Sequence, residues 1–356
     1  MAVNDTTEWK GYAISDTKKW NAFEVINFDP KPPGDHDVDI KIEYCGVHTI
    51  TGGWGETMLP VIPGHEITGH VVRVGPKVTE FKVGDRAGVG PIVCSCLACD
   101  KCRCGNEQHC DNAVDTYNAK YPDGTQSQGG FSTAIRAHEH FAFPIPDGVK
   151  LEEAAPMLCA GLTVYSPLVR NGAGPEKSVG IVGLGGLGHF AVQFAKAMAC
   201  KDIVVFSHSP GKKEDALKLG ATRFTDTSKE DFQKGITMPL DLVIVTADVS
   251  SGIPIEKLAS ILKVQGRLII VGLPDNQLPT FKASTLTENA IFIGGSKIGN
   301  RQEAIDMLKL AADKGIHPWI ELLPMRDAGK AVTNVKENKV RYRYVLKMDI
   351  PTSGKN

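Results

Sequence analysis

The chain has 356 residues, of which 42% are hydrophobic and 23% charged, with 40 basic and 41 acidic side chains and a formal net charge of -1. That balance gives no electrostatic pull toward nucleic acid or an anionic membrane, and no apolar run is long enough to span a bilayer, so neither partner is expected. The length exceeds one ordinary core and suits two domains.

The opening MAVNDTTEWK lacks a basic-then-apolar signal pattern and the closing PTSGKN is no obvious address, so a cytoplasmic location is expected. The segments NAFEVINF, DVDIKIEYCGV and ITGHVVRVG read as short strands broken by Gly and Pro. VGPKVTEFKVGDRAGVG alternates apolar and polar residues between turns and reads as antiparallel strands. Residues 93 to 128 are rich in Cys, Asn, Asp and Gly, as in a lobe that metal rather than apolar burial holds together.

From about residue 155 the pattern changes. KSVGIVGLG reads as a buried strand, GHFAVQFAKAMA as a helix, KDIVVFS as a second strand and KKEDALKLGA as a helix ending at Gly220. LDLVIVTA, the helix PIEKLASILK and the strand GRLIIVG continue the alternation. AIFIGGSKIG and a further helix, RQEAIDMLKLAADKG, follow. Such alternation implies an α/β fold with a doubly wound parallel sheet. The simplest architecture is a nucleotide-binding domain at 156–295 inserted into a β-rich domain built from 1–155 and 296–356. The chemistry is expected in the cleft between the domains.

Gly183-Leu184-Gly185-Gly186-Leu187-Gly188 matches G-x-G-x-x-G, after a strand and at the start of a helix. In that context the glycines allow a tight turn and let the backbone approach a pyrophosphate at the helix N-terminus. A lone match would be weak, and the bland alternative is a glycine-rich loop. An NAD site would place Asp or Glu about 20 residues after the last glycine. This chain has Phe206-Ser207-His208-Ser209, then Lys212 and Lys213. Hydroxyls and cations without a carboxylate suit a 2′-phosphate, so NADP(H) is the expected cofactor.

Six of the nine cysteines lie at positions 94 to 110. An odd total without a signal peptide argues against a disulfide framework. Cys96-x2-Cys99-x2-Cys102-x7-Cys110 offers four thiolates at spacings that suit a structural Zn2+, with disulfides or an iron–sulfur cluster as alternatives. Cys94 and Cys104 interleave with them and read as free buried thiols, with alternative ligands as the other reading.

Together these motifs resemble the zinc-containing medium-chain dehydrogenase/reductase superfamily, and within it the NADP-dependent cinnamyl alcohol dehydrogenase-like group. The resemblance is carried by GGWGETMLPVIPGHEITGHVVRVG, FKVGDRAGVG, SCLACDKCRCGNEQHC, YPDGTQSQGGFS, APMLCAGLTVYSPL, GIVGLGGLGH and FIGGSKIGNRQE, in the family's order. It implies a GroES-like catalytic domain beside the Rossmann domain, and a homodimer joined through the cofactor domains. It implies a catalytic zinc held by His65 of Gly64-His65-Glu66 and by Cys159 of PMLCAG, with Glu66 as an adjacent carboxylate that ligates or tunes the metal. It adds Ser296 and Ile298 to the cofactor contacts. Taken singly, His65 would more often be a core or surface histidine, and Cys159 a buried apolar cysteine.

One segment departs from the family. Its loop runs approximately C-G-x-C-G-S-D-x-H, and the second Cys binds zinc. This chain reads Tyr44-Cys45-Gly46-Val47-His48-Thr49, five residues shorter, without the ligating Cys and the relay hydroxyl. Cys45 matches the family's non-ligating Cys, and His48 the His that ends its proton relay. Three outcomes stay open: Cys45 or His48 replaces the missing ligand, the metal is held by His65 and Cys159 with Glu66, or it is absent. The leading expectation is reversible, zinc-assisted reduction of an aldehyde by NADPH, with Thr49 or His48 serving the relay. Trp54 would line a pocket for aryl or allyl substrates, or pack in the core. The alternatives are an NADPH reductase of activated C=C or C=N bonds without catalytic zinc, and a non-catalytic NADPH-binding paralogue.

Overall fold

Along the strand Asp37–Gly46 the apolar residues Val38, Ile40 and Ile42 recur at every second position, and all three are buried. That strand organises one of two packed units in the computed structural model, which describes residues 7–48, 56–247, 253–273 and 277–352. The first unit comprises Met1–Cys159 and Asn300–Asn356, the second Ala160–Gly299.

The first unit is built on a mixed sheet ordered Ile320–Pro324, Arg343–Lys347, Asp37–Gly46, Ile67–Val74, Arg86–Val89 and Ala142–Pro144, with Ala134–His138 also paired to Asp37–Gly46. Ile40, Ile42, Ile62, Ile67 and Phe131 fill its core. Of the stretch 74–90, expected as paired strands, only Val74, which ends the preceding strand, and Arg86–Val89 are strand, because its glycines and Pro76 favour turns. Asp39 is fully buried in the sheet, where carboxylate and guanidinium meet bidentately: Arg136 Nε and Nη2 donate to its two oxygens at 2.7 and 2.8 Å. Arg73 Nε adds a third contact at 3.2 Å.

The helix Arg301–Lys314 also belongs to this unit. Asn300 caps it, with a capping box to Glu303, and Gly315 ends it in the left-handed region. Its N-terminus is tied to the cysteine-rich lobe. Asn300 Nδ2 donates to the Gly105 carbonyl at 2.7 Å, and the Arg301 amide to Glu107 Oε1 at 2.6 Å.

The second unit is a six-stranded, all-parallel sheet ordered Arg223–Asp226, Asp202–Ser207, Ser178–Val182, Leu240–Val245, Leu262–Ile270 and Phe292–Gly295. This is the doubly wound order, in which the first strand is central. Ser178–Val182 is buried at every position, as expected of a strand covered on both faces. The helix expected over PIEKLASILK stops at Ala259, and Leu262 opens the next strand opposite Leu240. Periodicity cannot assign such a short apolar run, and sheet pairing decides it.

Breaking the buried Asp39–Arg136 pair leaves one charge uncompensated in the core. Asp39→Ala is expected to lower stability by about 3–5 kcal/mol, read as a fall in the urea midpoint. An unchanged midpoint would show that the pair is not buried as described.

Candidate functional site

His65 and Glu66 are neighbours where the chain enters the strand Ile67–Val74, and the ladder reaches them: the Gly46 amide donates to the Glu66 carbonyl at 2.9 Å. Adjacent residues of an extended chain face opposite ways, and these two do different things. Glu66 turns to Arg343 on Arg343–Lys347 and forms a buried ion pair through Oε1. It fits against Gly46, where a Cβ would stand 1.9 Å from Oε2. His65 instead joins His48 and Cys159, and one donor atom from each of the three lies within 4.8 Å of the others.

The imidazoles meet edge to face, with His48 Nδ1 3.2 Å from His65 Nε2 and interplanar angle 75°. Burial, with help from the Arg343 charge, lowers the His65 pKa to about 3. Burial, then the neighbouring His65 and Arg343, holds His48 well below its ordinary value as well. Both rings are therefore neutral at pH 7 and present lone pairs, the form in which histidine binds a metal. Tyr117 stacks on the other side of His65, centroids 5.7 Å apart and rings 10° from parallel. Burial raises its phenol pKa, as do nearby Cys159 and Asp115, so the hydroxyl stays protonated.

Cys159 sits inside a π-helical turn, Met157–Gly161, which follows the helix Leu151–Pro156. Such turns carry one extra residue and recur at functional sites. Cys45 and Glu66 are not in this cluster. Cys45 points into the sheet core, fully buried, and its thiol donates to the Gly46 carbonyl at 3.5 Å. Gly64 and Gly130 press on the sulfur so closely that a Cβ at either would lie 2.7 or 2.8 Å away. Burial also drives its pKa up, which keeps it a neutral thiol. Thr49 and Trp54 lie outside the described residues.

Cys96, Cys99, Cys102 and Cys110 converge. Their sulfurs are 3.9 Å (96–102), 3.6 Å (99–102), 3.8 Å (99–110) and 3.5 Å (110–96) apart. Four sulfurs at about 2.3 Å from a tetrahedral zinc are about 3.8 Å apart, so the four-sulfur set fits that ion. Backbone amides of Ala98 and Cys99 lower the Cys96 pKa to about 6, while burial raises that of Cys102 to about 12. Cys94 is half-buried and Cys104 exposed; the latter departs from the expected buried thiol because it caps the short helix Asp100–Arg103 at the surface.

In the second unit, the glycine turn follows Ser178–Val182. Gly183 has φ +95°, open to glycine, and a Cβ on Gly188 would strike the Gly183 carbonyl at 2.0 Å. A Cβ on Gly185 would meet no protein atom within 4 Å, so the space over that residue is open to a ligand. Gly186 and Leu187 complete the turn, and Gly188 starts the helix Gly188–Ala197. Thr246, which sequence reasoning missed, buttresses the turn: its hydroxyl donates to the Val182 carbonyl at 2.9 Å and lies 3.1 Å from that of Gly183. Ser207 ends its strand, His208 is exposed, and Lys212 Nζ donates to the Leu184 carbonyl at 2.8 Å, which brings its charge over the glycine turn. Ser296 continues from Phe292–Gly295, its amide bonded to the Ile270 carbonyl at 3.2 Å. Ile298 has φ +52°, a strained value for a β-branched residue.

Arg343 and Tyr117 were also missed, because neither stands in a metal-ligand or nucleotide motif. A buried Arg in a strand is itself a signal that a carboxylate partner exists. Cys99→Ser is expected to remove the lobe's ion and to lower the melting temperature by several degrees, measured by metal analysis and calorimetry. Retention of the ion at full stoichiometry would rule out the four-sulfur site.

Comparison with known proteins agrees with this arrangement. Residues 34–147 match the alcohol dehydrogenase GroES-like domain family, and residues 186–313 the zinc-binding dehydrogenase family. NADP-dependent alcohol dehydrogenase 6 of Saccharomyces cerevisiae is 42% identical over 349 residues, 95% of this chain and 96% of its own. Vomilenine reductase of Rauvolfia serpentina is 44% identical over 357 residues, 97% of this chain and 98% of its own. A solved cinnamyl alcohol dehydrogenase from Sorghum bicolor superposes with a TM-score of 0.90 at 36% identity, covering 96% of this chain and 98% of that one. With both halves of the fold matched and the relatives covered almost end to end, the chain belongs to the zinc-containing medium-chain alcohol dehydrogenases, in their cinnamyl alcohol dehydrogenase-like group.

Proposed function

We propose that this protein is an NADP(H)-dependent alcohol dehydrogenase that interconverts an aldehyde and its primary alcohol, with aryl or allyl aldehydes as the preferred class. One observation carries the reading. The chain pairs a dinucleotide turn without a carboxylate at the strand end with a cluster of two neutral imidazoles, one buried and one half-buried, and a buried thiol. NADPH supplies the hydride, and zinc held by His65 and Cys159 supplies Lewis-acid polarisation of the carbonyl oxygen.

The protein's own groups do the positioning. The amides of the glycine turn and the start of Gly188–Ala197 face the pyrophosphate. Ser207, His208 and Lys212 take the 2′-phosphate, and Ser296 and Ile298 line the rest of the cofactor path. Tyr117 holds the ring plane of His65 by stacking. The Glu66–Arg343 pair fixes the strand entry that aims His65, so Glu66 acts through its neighbour and is a positioning residue. For the proton that completes the alcohol, the sequence leaves Thr49 or His48 as the donor.

Hydride delivery to an activated C=C or C=N bond is the second reading. It is favoured by the loss of the loop residues that serve metal and relay in the family while the cofactor turn is intact. We further propose a cytoplasmic homodimer. The edge strand Phe292–Gly295 supports the dimer, because Phe292 is exposed there and Val264, Leu273, Leu278 and Phe281 are exposed in the same unit. Among the described residues no helix is long and apolar enough to cross a membrane.

Zinc-replete protein is expected to oxidise NADPH with aromatic or allylic aldehydes and to ignore enones and imines. The opposite preference favours the second reading, and absence of all turnover defeats both. Lys212→Ala should raise KM for NADPH about tenfold or more while leaving KM for NADH nearly unchanged, because one charge-assisted contact is lost. Equal effects on the two cofactors would remove Lys212 from the phosphate site.

A further inference from the structure

We infer that His48 is itself a metal ligand, so that the cluster binds its divalent cation through two imidazoles and one thiolate. This deepens the proposed function at the same cluster and rests on its being metal-assisted. The inference starts from the shortened loop. Its strand, Asp37–Gly46, stays locked into the sheet to its end: the Gly46 amide reaches the Glu66 carbonyl and the Val47 amide the Tyr344 carbonyl, both at 2.9 Å. His48 is the next residue, and the ladder delivers its ring to His65 and Cys159.

The distances suit coordination. Nitrogens at about 2.0–2.1 Å from a tetrahedral ion stand about 3.3–3.4 Å apart. His48 Nδ1 and His65 Nε2 are 3.2 Å apart. An imidazole–imidazole hydrogen bond would also give that distance, but it does not account for a thiol as third donor within 4.8 Å of both nitrogens. The competing donors are engaged elsewhere. The Cys45 sulfur is boxed in by Gly64 and Gly130, and Glu66 Oε1 is paired with Arg343 while Oε2 lies against Gly46.

The exchange has a chemical consequence. Two thiolates would neutralise a dication, whereas one thiolate and two neutral imidazoles leave a net charge of about +1. Imidazole-rich sets also accept Co2+ and Ni2+ readily, so the cluster should be less selective for soft metals than the four-sulfur lobe.

The test reads metal rather than turnover, so it stands or falls separately from the proposed activity. The full chain is loaded anaerobically with zinc, desalted and assayed beside His48→Ala, His48→Cys and Cys45→Ala, each with wild-type circular dichroism. About two zinc per chain are expected in the wild type, His48→Cys and Cys45→Ala, and about one in His48→Ala. After cobalt loading, His48→Cys should gain a thiolate-to-cobalt charge-transfer band over the wild type, roughly doubling the part that Cys159→Ser removes. The inference is overturned by two zinc in His48→Ala, by one in the wild type or in Cys45→Ala, or by an unchanged cobalt spectrum in His48→Cys. The cysteine variant decides the matter if the alanine variant fails to fold.

Discussion

A single buried ion pair, Glu66 with Arg343, holds together the strands from which the histidine cluster is built. Both side chains are removed from water, and each would be costly to bury alone. Paired, they join two strands of the first unit's sheet, Ile67–Val74 at its entry and Arg343–Lys347. Their residual positive field falls on His65 and His48, whose protonated forms it disfavours. The neutrality of the rings comes first from their burial, and the Arg343 charge on the neighbouring strand adds to it. Kept unprotonated at neutral pH, the two imidazoles leave their lone pairs available.

Most of the second unit was legible because its elements are local. A buried apolar strand, a glycine turn and an amphipathic helix each announce themselves within a short window, and their succession dictates a parallel sheet. The cysteine lobe was legible for the same reason: its four sulfurs are close in sequence. What escaped depends on distant pairing. Leu262 could be helix or strand until Leu240 was set opposite it. Arg343 and Glu66 are 277 residues apart, and nothing near either names the other.

The loop after Asp37–Gly46 shows the limit from another side. From the sequence, Cys45 is the first claimant to a vacant place near His65, with His48 as the alternative. Strand alternation separates them, since Cys45 is committed to the inward face of the sheet and His48 lies past its end. A pleat that is indifferent to chemistry decides which of two good donors is within reach. Tyr117 follows the same logic. Its ring plane matters to His65, but a tyrosine between two short polar residues carries no signature of that contact.

The π-helical turn at Met157–Gly161 makes the placement of Cys159 depend on chain length there. An α-helix advances about 100° per residue, so removal of the extra residue would swing the thiol about a quarter of the way around the axis. Cys159 is also the last residue of one unit, and Ala160 the first of the next. In related chains this segment should therefore vary in composition while keeping its count, and a one-residue gap here would mark a protein that has abandoned this thiol.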